Sequence, residues 1–73
     1  MITRDSIAKI WLTAGEICIE TTDGRCANES FSEYKGLRDA TDEQRGNYRL
    51  SRFGIHWPEI DEDLSFEGFF KTL

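Results

Sequence analysis

Long apolar runs are missing from this sequence, in which no stretch of consecutive apolar residues exceeds three. A transmembrane helix needs about 20 such residues, and the centre of a signal peptide needs roughly 7–15. With 73 residues, the chain has room for one small domain, residues 1–73. We therefore expect a single domain in the cytoplasm, without a membrane-spanning segment.

Valine is absent, and hydrophobic residues make up only 38% of the chain. Ile, Leu and Phe are still frequent enough to predict a folded rather than a disordered domain. A domain of this size buries roughly 60% of its unfolded surface, and its core rarely supplies more than about 3–5 kcal/mol. We therefore expect no deep substrate cavity, and we expect function to lie on the surface.

Positive charge is scarce, since 9 Lys and Arg face 14 Asp and Glu, for a net charge of −5. Most of the imbalance lies in residues 58–73, which hold five acidic side chains and one basic one. Phosphate backbones and anionic lipids repel such a surface. We therefore expect no nucleic acid and no membrane among the partners of this domain alone, and a basic protein surface suits it better.

Basic residues slightly outnumber acidic ones over residues 35–52, which forms a weak basic stripe. Its members are Lys35, Arg38, Arg45, Arg49 and Arg52. We expect this stripe to pair with the acidic residues at the C-terminal end of the same domain, although RNA or a partner's acidic groups are alternatives.

Only two cysteines are present, Cys18 and Cys26. Asp23 and Gly24 predict a two-residue hairpin turn between them, with Thr21 opposite Cys26. In that register the two thiols lie on opposite faces of the sheet and cannot form a disulfide. We therefore expect free thiols in a reducing compartment, and no zinc site, because neither cysteine has a partner at zinc-ligand spacing.

Alternating apolar residues predict a three-stranded antiparallel meander in the first half. A turn at Ala14-Gly15 places Leu12 opposite Ile17 and Ile10 opposite Ile19, which gathers four large aliphatic residues on one face. A third strand is expected over residues 25–30. The first half is therefore predicted to be all β.

The second half predicts a loop, two short helices and one or two strands. The predicted elements are a loop over 31–40, a helix with a capping box from Thr41 to Gln44 that stops near Gly46, strands over 48–51 and 55–57, and a final helix over 66–71 capped by Ser65. The predicted fold class is α+β: a small antiparallel sheet, with the meander plus one or two later strands, and two short helices.

Several motifs of the second half are those of a known bacterial family. They include Ile55-His56-Trp57-Pro58 followed by Asp61-Glu62-Asp63, then Ala40-Thr41 with Gln44-Arg45, and Gly68-Phe69-Phe70. Residues 37–70 resemble the domain of unknown function 2442 family, whose members often carry proline where this chain has Lys35.

The resemblance implies a small α+β domain with no established activity and no catalytic residues to carry over. It also implies a partner, because such proteins look like companions of a second small protein in a toxin–antitoxin-like arrangement. Some members are joined to a helix-turn-helix segment. We expect that segment to be absent here, which leaves a stand-alone interaction domain.

The acidic run Asp61-Glu62-Asp63, with Glu59 nearby, is open to three interpretations. It could hold a hydrated Mg²⁺ or Ca²⁺ weakly, it could meet Lys or Arg side chains of a partner, or it could be a solvated turn. An EF-hand is excluded, because Phe66 stands where that loop requires glycine. We expect no bound metal and no cofactor.

His56 could act as a general base if Asp61 or Asp63 oriented it within a cleft. The simpler interpretation is a histidine at a strand end that hydrogen-bonds the acidic loop. No nucleophile, glycine-rich loop or set of metal ligands accompanies it. The alternative function is therefore a weak metal-dependent or acid–base enzyme centred on His56 and Asp61 or Asp63.

Trp11 and Trp57 could be core residues or anchors for a partner. The leading prediction is a small domain, not an enzyme, that binds a small partner protein or a second copy of itself. Its candidate partner-binding residues are Trp11, His56, Trp57, Glu59, Asp61, Glu62 and Asp63.

Overall fold

A computed structural model describes residues 2–71 and places six strands in two antiparallel sheets. The first sheet has the order β1 (Ile7–Leu12), β2 (Glu16–Thr21) and β3 (Cys26–Ser30). The second has the order β4 (Arg49–Leu50), β5 (Gly54–Trp57) and β6 (Glu62–Ser65). The helices are α1 (Lys35–Arg38), α2 (Asp42–Gly46) and α3 (Phe66–Phe69), with 3-10 turns at Arg4–Ser6 and Phe31–Glu33.

This architecture confirms the predicted α+β class and corrects its details. The later strands number three rather than one or two, and they form a sheet of their own. The segment predicted as a loop over 31–40 contains α1, whose Leu37 is fully buried. A four-residue helix was missed because it carries a single apolar residue and no side-chain N-cap.

The first hairpin has the predicted register. Leu12 lies opposite Ile17 and Ile10 lies opposite Ile19, so that aliphatic side chains of both strands share the inner face. A bulge between Ile7 and Lys9 shifts the pairing at the start of β1. The alternation of apolar residues alone predicts this register, because any other register would expose isoleucines.

The second hairpin differs from the prediction by one residue, since Cys26 lies opposite Glu20 rather than Thr21. The loop has three residues instead of two, because the backbone N–H of Thr21 donates to the carbonyl of Arg25 at 2.8 Å. Gly24 closes the loop with a φ of 90°, a left-handed conformation that favours glycine. The one-residue difference moves every side chain of β3 to the other face.

The acidic run that was expected to be a turn begins β6. Asp61 ends the preceding turn with a φ of 53°, a conformation that Asp tolerates better than most residues. His56 then pairs with Asp63, and Trp57 pairs with Glu62.

One cluster of buried side chains joins the inner faces of both sheets. Its members are Ile17, Ile19, Phe31, Leu37, Ile55, Trp57, Leu64, Phe66 and Phe69. The indole nitrogen of Trp57 donates to the carbonyl of Arg45 at 2.8 Å, which satisfies the polar atom of the largest core side chain. The core therefore holds the two sheets together and leaves their outer faces to solvent.

The predicted helix caps are confirmed. Thr41 and Gln44 form a reciprocal capping box at the start of α2, and the hydroxyl of Ser65 accepts from the backbone of Gly68 at 3.0 Å. The last helix ends at Phe69, earlier than the predicted residue 71.

Candidate partner-binding surface

The outer face of the first sheet, defined by Lys9, Trp11, Cys18, Glu20, Cys26 and Asn28, follows from strand alternation. Trp11 lies on the edge strand β1 and is 41% exposed. A shallow depression of about 320 Å³ surrounds it, lined by Trp11, Cys18, Cys26, Ala27 and Asn28. A large aromatic ring on a flat sheet surface is a typical anchor in protein interfaces.

Both cysteines lie on this outer face, which corrects the prediction that they occupy opposite faces. They are nevertheless free, with Cys18 buried and Cys26 exposed. Cys18 is opposite Asn28, so Cys26 is its diagonal neighbour; diagonal Cβ atoms are about 7–8 Å apart, too far for a disulfide. Burial raises the pKa of the Cys18 thiol, with smaller contributions from Glu16 and Cys26.

The outer edge of β1 has hydrogen-bonding groups without partners in residues 2–71. Thr13 donates to the carbonyl of Glu16 at 2.9 Å, which fixes the alternation of the ladder. The backbone groups of Ile10 and Leu12 therefore point away from β2. Neither residue makes a backbone hydrogen bond to another element within residues 2–71, so this edge is open to an additional strand.

A groove of about 270 Å³ runs beside this edge, and we call it the β1–β4 groove. Its lining residues are Arg4, Ile7, Ala8, Lys9, Ile10, Tyr48 and Leu50. The groove exists because the two sheets meet through their inner faces while β1 and β4 stay unpaired to each other. The backbone N–H of Arg4 donates to the carbonyl of Arg52 at 2.7 Å and closes one end.

His56 and Asp63 form a cross-strand pair on the outer face of the second sheet. The Nδ1 atom of His56 lies 2.7 Å from an oxygen of Asp63, which leaves Nε2 free to accept or donate a proton. The pair is open to water, since the Asp63 side chain is 70% exposed. Its geometry can orient an imidazole, and the exposure of Asp63 places the pair on an open surface.

The other acidic candidates do not converge on His56. Glu62 points inward, and its Oε2 accepts from the backbone N–H of Gly36 at 2.7 Å. Glu59 accepts from the side chain of Asn47 at 3.2 Å, and Asp61 is exposed. In the part of the chain from residue 2 to 71, no group of three or more His, Cys, Asp or Glu lies close enough to hold a metal ion.

Trp57 is the candidate that the fold removes from the surface, with an exposed fraction of 0%. Glu62 is likewise engaged inside the domain, so that neither side chain is free to contact a partner. Trp11, His56, Glu59, Asp61 and Asp63 remain accessible, but Trp11 lies on the first sheet and the others lie on or next to the second. The structure thus separates the candidates into two surfaces.

The basic stripe does not neutralise the C-terminal acids, contrary to the prediction. Arg38 pairs with Asp39 and Arg45 with Asp42, both close in sequence. Arg45 also donates to the carbonyl of Leu37 at 2.8 Å. The guanidinium group of Arg45 therefore stabilises α1 by hydrogen bonding to its backbone. Within residues 2–71, Lys35, Arg49 and Arg52 form no ion pair.

Comparison with known proteins decides the family. The family described as "Protein of unknown function (DUF2442)" matches residues 7–72, nearly the whole chain. The chain belongs to this family. The DUF2442 match includes the first sheet as well as the motifs of the second half. No curated protein and no solved structure matches the chain.

Sequence reasoning missed two features of this DUF2442 chain, the open edge of β1 and the β1–β4 groove. The alternation that predicted β1 gives its faces but not which of its edges is covered. The groove depends on the distant residues Tyr48 and Leu50, which no local pattern connects to β1.

Among residues 2–71, no helix combines the length and the apolar character that crossing a bilayer requires.

Proposed function

We propose that this chain is a non-catalytic protein-interaction domain that binds its partner through the outer face of the first sheet. The observation that carries the proposal is the exposure of Trp11, in a chain whose other tryptophan is fully buried. A core this small benefits from every large side chain, and a tryptophan that stays partly exposed gains further apolar burial when a partner covers it.

The partner we propose is a small protein, in the toxin–antitoxin-like arrangement that the family resemblance implies, or else a second copy of the chain. A partner also fits the open hydrogen-bonding edge of β1, which lies next to Trp11. We propose that the chain and its partner lie in the cytoplasm, because two free thiols, with Cys26 exposed, suit a reducing compartment.

The test is retention of a partner by the natively expressed protein, combined with light scattering of the pure chain. Trp11→Ser is the test variant, and Phe53→Ser is the matched control, because Phe53 is 47% exposed and lies outside the first sheet. We expect Trp11→Ser to lose the partner, or the self-association, while Phe53→Ser keeps it. A strict monomer that retains nothing, or equal retention by both variants, contradicts the proposal.

The second candidate function is a weak metal-dependent or acid–base enzyme centred on His56 and Asp61 or Asp63, because the Nδ1 atom of His56 lies 2.7 Å from an oxygen of Asp63. Titration with Mg²⁺, Ca²⁺ and Zn²⁺ followed by NMR separates the two functions. Shifts confined to residues 56–67 and abolished by Asp63→Asn favour the enzyme. No shift at these residues, together with loss of the partner in Trp11→Ser, favours the interaction domain.

A further inference from the structure

We propose that the β1–β4 groove binds an extended, acidic segment of a partner protein, which adds as a strand to the open edge of β1. This inference rests on the proposed function, that the chain works by binding a protein. It adds a second contact to the Trp11 face, and it assigns both the conformation and the charge of the partner segment.

The conformation follows from the backbone of β1. The N–H and C=O groups of Ile10 and Leu12 point outward, two residues apart, which is the spacing that an added strand satisfies. Strand addition is a recurrent mode of peptide recognition, in which backbone hydrogen bonds give affinity and alternate side chains give specificity. The bulge between Ile7 and Lys9 limits this pairing to the second half of β1.

The apolar preference follows from the floor of the groove. Ile7, Ile10, Tyr48 and Leu50 line it, and Leu50 is 40% exposed. Alternate side chains of an added strand point to the same side as Ile10, toward this floor. We therefore expect an apolar residue at every second position of the bound segment.

The charge preference follows from the rim. Arg4 and Lys9 line the groove, and Arg52 joins Arg4 in an adjacent depression whose one acidic member is Asp5. None of the three cations forms an ion pair within residues 2–71. In a chain whose net charge is −5, this rim is a local basic surface, and it favours carboxylates at the remaining positions of the segment.

A second copy of β1 fits the groove poorly, because β1 contributes Lys9 and no acidic side chain. Pairing two such edges would bring like charges together. RNA would meet the cations, but it offers no alternating N–H and C=O groups to the backbone of β1. The acidic extended peptide is the occupant that satisfies the backbone, the floor and the rim together.

The experiment is an NMR titration of the full chain, at about 150 mM salt, with a short peptide that alternates Glu and Ile. Matched peptides carry Lys in place of Glu, or Pro in place of a central Ile, since proline cannot donate to the ladder. We expect shifts at residues 8–12 and 48–50 with the acidic peptide, and binding at least about tenfold weaker with either control peptide.

Variants of the protein test the rim. Arg4→Gln with Arg52→Gln should weaken binding of the acidic peptide about tenfold or more, whereas Arg38→Gln, on the exposed surface of α1, should leave it unchanged. The amide spectrum of each variant shows whether the fold is retained. Equal binding of the Lys peptide overturns the charge assignment, and equal binding of the Pro peptide overturns strand addition.

Three further outcomes are decisive. If oligo-uridine shifts the same residues more strongly than the peptide does, the groove is a nucleic-acid site and the inference is wrong. If no peptide binds while Trp11→Ser still abolishes partner retention, the groove inference fails and the proposed function stands. If the peptide binds and retention of the natural partner is insensitive to Trp11→Ser, the proposed role of the Trp11 face fails and the groove inference stands.

Discussion

The hydrogen bond between Glu62 and Gly36 gives Glu62 a structural role that its position in an acidic run does not indicate. In the sequence, Glu62 belongs to an acidic run that invites a solvated or partner-binding role. In the structure, its carboxylate accepts the backbone N–H of Gly36 at 2.7 Å, in the first turn of α1. We therefore expect Glu62 to contribute to folding stability, in contrast to an ordinary surface glutamate.

The magnitude follows from the kind of bond. A hydrogen bond from a neutral donor to a charged acceptor contributes about 1.5–3 kcal/mol. Glu62→Ala removes this bond and leaves a half-buried N–H, so we expect a loss of about 2 kcal/mol in the free energy of unfolding. Glu62→Gln keeps an acceptor oxygen but loses the charge, and we expect a loss of about 1 kcal/mol. Since such a domain has only about 3–5 kcal/mol in total, the effect of Glu62→Ala should be large.

Urea unfolding followed by tryptophan fluorescence measures these losses. Trp57 is the natural probe because it is buried, and a Trp11→Phe background removes the signal of the exposed ring. Glu33→Ala is the matched control, since Glu33 is exposed on a short 3-10 turn. A loss of about 2 kcal/mol corresponds to roughly 8–16 °C in Tm. If Glu62→Ala and Glu33→Ala are equally stable within about 0.5 kcal/mol, the tether has no energetic role and the reasoning is refuted.

Three further predictions concern backbone packing, proton binding and thiol reactivity. Gly54→Ala should cost at least about 2 kcal/mol in urea unfolding, because the added Cβ would clash with the backbone carbonyl oxygen of Leu64 in β6; an unchanged midpoint would contradict this. Hydrogen bonding to Glu29, with burial and nearby carboxylates, raises the pKa of Tyr34 to about 12. The phenol of Tyr34 therefore binds its proton more tightly in the folded state. Its contribution to the free energy of unfolding is fully present below pH 10.0 and is lost as the pH rises through about 12. Absorbance titration should detect this shift and its loss in Glu29→Gln. Iodoacetamide should modify exposed Cys26 well before buried Cys18, and equal labelling or the reverse order in mass spectrometry of partly labelled protein would contradict this.

The two hairpins show what local sequence can and cannot specify. The register of the first is strongly determined, because Ile10, Ile17 and Ile19 must share the buried face. In the second, Asp23-Gly24 fits either a two-residue turn or the end of a three-residue loop. The residues of β3 are mostly small or polar, so no burial pattern selects between the two registers.

Long-range contacts, rather than the local sequence pattern, decide which candidate residues are buried and which are exposed. Alternation along a strand says that Trp11 and Trp57 each point to one face, but only the position of the other sheet decides which face is covered. Trp57 faces the core, and Trp11 faces solvent. Asp and Glu are rare in strands, which is why β6 was missed and why the inward turn of Glu62 could not be foreseen.

The open backbone groups of β1 are the reason why we propose that a partner binds at β1 rather than at His56. Proteins usually protect an edge strand with charges, bulges or covering elements, because an open edge recruits other chains. Here the bulge and Lys9 protect only the first half of β1, and the second half presents open backbone groups beside an exposed tryptophan. His56, by contrast, already has its partner in Asp63. A surface that is costly to leave bare is the one on which a partner gains most by binding, and in this fold that surface is β1.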